Sequence, residues 1–179
     1  VAVLFFDRVS FAYEASRPVL QEISFHIAEG ERVGLIGANG AGKSTLMRAA
    51  LGLLPVEGSI TVGGLTVEKK NLAEIRKRLG YVLQDANDQM FMPTVLEDMI
   101  FGPVNYGMSR EEAETQARET LARLHAEKLI DRHNHKLSGG EKRMAAIATV
   151  LAMQPKVLMM DEPSSSLDPR NRRELIAAL

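Results

Sequence analysis

Eight consecutive residues, Gly37-Ala-Asn-Gly-Ala-Gly-Lys-Ser44, satisfy the pattern G-x-x-x-x-G-K-[ST] in full. The pattern lies between a predicted strand, Arg32–Ile36, and a predicted helix from Leu46 to Leu54, which is the context it requires. Glycines let backbone N–H groups turn inward and form a concave anion nest that a Cβ would obstruct. The following helix aims the positive end of its dipole at the same point. Lys43 supplies a mobile charge for β- and γ-phosphates, and the Ser44 hydroxyl suits a Mg²⁺ ion. Gly37, Asn39, Gly40, Ala41, Gly42, Lys43, Ser44 and Thr45 are therefore the candidate contacts of a nucleoside triphosphate such as ATP.

Two further clusters could serve the same chemistry. The apolar run Val157–Met160 ends in Asp161 and Glu162. A carboxylate at such a strand end holds Mg²⁺ or its water shell, the role expected of Asp161. Glu162, one residue on, is expected to accept a proton from attacking water. Upstream, Leu137-Ser-Gly-Gly-Glu141 opens a predicted helix, Glu141–Met153, with a serine hydroxyl, two glycine amides and a helix dipole. One nucleotide cannot easily use two such cradles from one chain. The economical expectation is that Ser138, Gly139, Gly140 and Glu141 close on a nucleotide held by another subunit. By itself the run also fits an ordinary serine-capped helix.

The elements that must position these residues follow from periodicity. Val1–Ala12 and the alternating stretch Val19–Ile27 read as strands of an antiparallel layer, as does Ser59–Val67 around a Gly63-Gly64 turn. Leu72–Leu79 reads as a short helix and Tyr81–Leu83 as a buried strand. From Asp85 to Tyr106 the pattern loosens around Pro93, Gly102 and Pro103. Ser109-Arg-Glu-Glu112 is a capping box that opens a helix to about His125. A last helix begins at Pro169 behind Asp168. This alternation predicts an α/β protein: a P-loop core with a mostly parallel sheet flanked by helices, spanning 1–84 and 137–179, with an N-terminal antiparallel β layer. Residues 85–136 form a mainly helical insert.

Composition removes several classes. The 179 residues carry 22 basic and 23 acidic side chains, a net charge of −1, which argues against nucleic acid held by bulk electrostatics. Zero cysteines exclude disulfides and thiol chemistry. No apolar run approaches the ~20 residues of a membrane span, and the start lacks the basic region of a secretory signal. His133 and His135, in a polar loop, read as solvated.

With these motifs in order, the sequence resembles the ATP-binding cassette (ABC) ATPases over nearly its whole length. Leu137–Glu141 matches the signature motif, with Glu141 where many members have Gln. Val157–Glu162 matches Walker B and Ser166-Leu-Asp168 the D-loop. The resemblance implies that Gln84 is the Q-loop glutamine, a Mg²⁺ and transmission residue, and that Tyr13 is the aromatic that stacks on adenine; packing in a strand core is the other reading of Tyr13. The stretch from Gln84 to Phe91, with Thr94-Val95 and Phe101–Asn105, is similar to ATPase subunits of energy-coupling-factor transporters, which import transition metals or vitamins. Ala86 departs from the proline usual there. The resemblance further implies ATP and Mg²⁺ as cofactors, a second ATPase subunit, and a peripheral place at the cytoplasmic membrane face. An integral membrane partner would dock near Asp85–Met92, where Asp85 and Asp88 flank Met90, Phe91 and Met92; the same apolar residues would equally serve to pack the insert.

A soluble ABC-type ATPase of DNA repair or translation is the alternative, but the insert shows no sustained heptads for coiled-coil arms. A small-metabolite kinase leaves Leu137–Glu141 unexplained, and a non-hydrolysing switch leaves Glu162 so. The family's γ-phosphate histidine lies beyond Walker B. His26, His125, His133 and His135 all precede Glu162, so a C-terminally truncated cassette is expected. Its last helix would carry an under-covered apolar face at Leu175, Ile176 and Leu179.

Overall fold

The computed structural model describes residues 2–163 and 167–178. They fall into two compact units, Val1–Leu79 and Gly80–Leu179.

The first unit is built on a four-stranded antiparallel sheet of order β2-β1-β3-β4, from β1 (Ala2–Glu14), β2 (Arg17–Ala28), β3 (Glu57–Val62) and β4 (Leu65–Thr66). Leu4, Phe6 and Val9 of β1 and Ile60 and Val62 of β3 are buried. Each such side chain contributes about 1.5–3 kcal/mol on leaving water. Phe6 stacks on Phe25 of β2 at 4.6 Å. The long β1–β2 ribbon is bulged: Arg8 and Glu22 have φ of 48° and 47°. Their displaced amides donate to Ser24 Oγ (2.8 Å) and Ser10 Oγ (2.9 Å), so the bulges leave neither donor unsatisfied. Gly58 is obligatory beside the first bulge, because a Cβ there would lie 2.3 Å from the Arg8 carbonyl oxygen. Helix α1 (Lys43–Ala50) packs on β2 and β3, and α2 (Leu72–Arg78) buries Ile75.

One expected element is missing from this unit. Residues 31–38 form no strand, and Val33, Leu35 and Ile36 are exposed. Apolar alternation makes a strand only where a neighbour offers its edge, and the order β2-β1-β3-β4 takes in no such segment.

The second unit pairs β5 (Leu79–Val82) with β6 (Val157–Met160) and surrounds an apolar cluster with α3 (Val95–Asn105), α4 (Arg110–Arg123) and α5 (Gly139–Leu151). Val95 and Met99 of α3 meet Ala113, Ala117 and Leu121 of α4 and Met144, Ala145 and Ala148 of α5. The alanines let the helix axes approach closely. Helix α3 corrects the expectation of a loosened stretch from Asp85 to Tyr106. Thr94 and Glu97 form a capping box at its start, Pro103 lies inside its last turn, and Gly107 ends it at φ 96°. In α6 (Pro169–Ala178), Leu175 is only 2% exposed and packs with Val82, Ile147, Val150 and Leu167. The expected uncovered face is thus covered at Leu175, while Ile176 is exposed and Leu179 lies outside the described residues. No described helix is long and apolar enough to cross a membrane.

Candidate functional site

In the first unit the phosphate-loop pattern folds as a nest. Gly40 and Gly42 adopt φ of 83° and 89°, values that L side chains rarely take, and Gly42 is the N-cap of α1. A Cβ on Gly42 would also press on Val19, 3.0 Å from its Cγ1. Ala41 N–H donates to the Ala38 carbonyl (3.1 Å) and Leu46 N–H to the Gly42 carbonyl (2.8 Å), closing the loop onto the helix. Because α1 starts at Lys43 rather than Leu46, Lys43, Ser44 and Thr45 form its first turn, where the amides lack intrahelical acceptors. Lys43 Nζ arches back and donates to the carbonyls of Gly37 (2.8 Å) and Ala38 (2.9 Å). Asn39, Gly40 and Ala41 are open to solvent.

Tyr13 belongs to this loop and not to a core. It is 58% exposed, stands edge-on to Phe11 at 4.8 Å, and its hydroxyl lies 3.4 Å from Thr45 Oγ1. That removes the reading of Tyr13 as a packed strand aromatic.

In the second unit Asp161 and Glu162 follow β6. Asp161 is buried, its amide donates to the Val82 carbonyl (3.0 Å), and Tyr81 Oη donates to Asp161 Oδ2 (3.4 Å). Glu162 is exposed and takes φ of 46°, a strained value for a residue with a Cβ. Gln84 is exposed at the exit of β5. Ser164, Ser165 and Ser166 lie outside the described residues, and with them the start of the expected D-loop.

Ser138-Gly-Gly-Glu141 caps α5. Ser138 Oγ accepts from Glu141 N–H (3.3 Å), and the Glu141 carboxylate accepts from Ser138 N–H (3.0 Å). The bonds that the Ser138 amide and then its hydroxyl donate to the Glu141 carboxylate hold it below its ordinary range. The box does not use the amides of Gly139 and Gly140, which point from the first turn.

Four residues absent from the sequence-based site complete this end of the unit. Arg143, 2% exposed, donates to the carbonyls of Leu83, Gln84 (3.1 Å), Asp161 (2.8 Å), Glu162 (2.9 Å) and Pro163 (3.2 Å). Burial pushes its guanidinium down from its ordinary value, while Asp161, Glu162 and Asp85 hold it up. Gln89 accepts from Leu83 N–H (3.0 Å) and donates to the Ala146 carbonyl (2.9 Å). Asp98 accepts from the amides of Phe91 (3.2 Å) and Met92 (3.1 Å) and from Asn134 Nδ2. In the sequence only the place of Arg143 just after the signature run, and of Gln89 within the stretch Gln84–Phe91, hinted at any of these.

Within the expected docking segment, Met90 is buried in the helical cluster and serves packing. Phe91 is 66% exposed and meets the edge of Phe101 at 5.1 Å. Asp85 and Asp88 are exposed.

A phosphate nest, an acidic strand end and a glycine-led helix cap on an α/β scaffold define a P-loop nucleotide-binding protein. A family model described as ABC transporter matches residues 20–165, and the chain belongs to that family. Within it the chain sides with the energy-coupling-factor type. It is 43% identical over 172 residues to the energy-coupling factor transporter ATP-binding protein EcfA of Methanocaldococcus jannaschii, an alignment covering 94% of this chain and 62% of that protein. It is 49% identical over 168 residues to a putative ABC transporter ATP-binding protein of Streptomyces coelicolor, covering 93% and 65%. Its fold matches that of cbiO1 from Clostridium perfringens, part of the ABC transporter complex cbiONQ, with a TM-score of 0.87 and 34% identity over 99% of this chain and 72% of that one. The chain thus spans less than two thirds of the length of these two curated relatives.

Proposed function

We propose that this chain binds and hydrolyses Mg²⁺-ATP as the motor subunit of an energy-coupling-factor-type importer of transition-metal ions or vitamins. The observation that carries the reading is the nest at Gly37–Ser44, with two left-handed glycines leading into the first turn of α1 and Lys43 folded over it. Lys43 takes the β- and γ-phosphates in place of its own loop carbonyls, and Tyr13 offers its exposed ring to adenine. Ser44 on the first unit, and Gln84 and Asp161 on the second, each carry a side-chain oxygen of the hard kind that would suit Mg²⁺. Bound Mg²⁺ neutralises charge on the transferring phosphoryl group. Glu162 accepts the proton of the attacking water.

Ser138, Gly139 and Gly140 then serve a nucleotide on a second ATPase subunit, since their glycine amides are not used by the capping box. A membrane partner docks beside Asp85, Asp88 and Phe91, where exposed acid and an exposed aromatic pair suit a basic, partly apolar helix. On this reading the chain works as a peripheral subunit at the cytoplasmic membrane face.

Glu162→Gln in the natural full-length protein is expected to retain ATP affinity while turnover falls by 10²-fold or more, checked by calorimetry and phosphate release. Turnover like that of the wild type would remove Glu162 from its assigned role.

A further inference from the structure

The Arg143 guanidinium is buried, and among the described residues its hydrogen-bond acceptors are five backbone carbonyls and no carboxylate. Three of them, on Asp161, Glu162 and Pro163, surround the strained φ of 46° at Glu162. The other two, on Leu83 and Gln84, lie where β5 leaves the sheet. A left-handed residue with a Cβ persists only when its surroundings over-determine it. Here the surroundings are one planar fork of donors, carried on the first turns of α5, two residues after the Ser138–Glu141 cap.

We propose that Arg143 is a positioning residue: it ties the signature helix to the backbone that aims Glu162 and Gln84, so that engagement of Ser138–Glu141 sets the hydrolytic carboxylate. The inference rests on the ATPase reading above. It concerns the setting of Glu162: none of the five acceptors lies in the phosphate nest Gly37–Ser44.

Chemistry supports an arginine in this place over other cations. A guanidinium offers five N–H donors in a fixed plane, so it spans acceptors on two separate strand ends at once. A lysine ammonium presents three donors from one point and reaches only a subset. Neighbouring bonds brace the same helix against the loop after β5: Lys142 Nζ donates to Asn87 Oδ1 (2.7 Å) and Gln89 links the Leu83 amide to the Ala146 carbonyl. None of these reaches the carbonyls of Asp161, Glu162 or Pro163.

The test compares Arg143→Lys and Arg143→Met with wild type in the natural full-length protein, measuring kcat and KM for ATP, ATP affinity by calorimetry, and Tm. Arg143→Met is expected to lower kcat by 30-fold or more with KM and affinity within threefold, and Arg143→Lys to recover at least fivefold of the loss. Three results would overturn the proposal. One is kcat within threefold of wild type in both variants. Another is a parallel fall of kcat, affinity and Tm, or failure of both variants to fold, which would make Arg143 a plain core residue. The last is loss of kcat in Arg143→Met with no recovery by lysine and an equal rise in KM. Wild-type protein without ATPase activity would instead sink the ATPase reading, and this inference with it.

Discussion

Asp98 shows what a single buried carboxylate does in this protein. It accepts from the Phe91 and Met92 amides and from Asn134, whose Nδ2 also donates to the Met92 carbonyl (2.6 Å). The pair therefore staples the exposed segment around Phe91 to the strand of chain that enters the signature cap. Asn134 Oδ1 is buried without a hydrogen-bond partner among the described residues, a cost of about 1–3 kcal/mol that the staple tolerates. Desolvation raises the Asp98 pKa, against the bonds from Met92, Phe91 and Asn134 that lower it. A raised acid binds its proton more tightly when folded, so its contribution falls as pH climbs from about 3.9, the unfolded value, through the folded pKa, and is constant above that. Urea midpoints from pH 4 to 7 are expected to show wild type losing stability relative to Asp98→Asn as pH rises. A difference that grows in favour of wild type would reverse the sign. Sequence could not reveal this group: Asp98 sits among Val95, Leu96 and Met99 as an ordinary helical acid, and its partner lies 36 residues away. Lys43, Ser44, Asp161 and Glu162 could be proposed from sequence because the chemistry expected of them demands fixed local spacing. Arg143 could not, because backbone carbonyls leave no mark on the residue types that carry them.

Three helices of the second unit start with the same device, Thr94 with Glu97, Ser109 with Glu112 and Ser138 with Glu141. Each satisfies two amides that helix ends leave without partners. At α5 the box does more than stabilise: it fixes Ser138 while keeping Gly139 and Gly140 amides out of the bonding. Thr94→Ala removes the acceptor of Glu97 N–H and a hydroxyl donor to the Glu97 carboxylate. It is expected to cost about 1 kcal/mol, read as a lower urea midpoint with an unchanged m-value. A midpoint within error of wild type would show that tertiary contacts alone set the start of α3. Ser109 announced its helix in the sequence, and Thr94 carries the same spacing. Pro93 and Pro103 obscured it, although proline before an N-cap is harmless and Pro103 falls in the last turn. The segment 31–38 fails in the opposite way, with a strand-like pattern and no ladder among the described residues. Local pattern reports what a segment can do; pairing decides what it does.

At the scale of the molecule, the phosphate nest Gly37–Ser44 sits on the first unit and the helix cap Ser138–Glu141, proposed as the second cradle, on the other. Motif order along the chain was enough to expose the family, since four elements in sequence are far more specific than any one. It was not enough to foresee how the units are knit internally: the bulged β1–β2 ribbon, the alanine contacts of α4 and α5, and Leu175 closing the cluster around Val82. The central proposal is that the phosphate nest of one ATPase subunit and the signature cap of another hold the same ATP, and that a second copy of this chain can fill the partner's place. Sedimentation of full-length Glu162→Gln protein with saturating Mg²⁺-ATP tests it most directly. The account predicts a dimer that forms only with nucleotide, that Ser138→Arg abolishes without weakening ATP binding to the single chain, and that Lys43→Ala abolishes by weakening that binding. A protein that stays monomeric in saturating ATP, or a dimer indifferent to nucleotide and to Ser138, would contradict it.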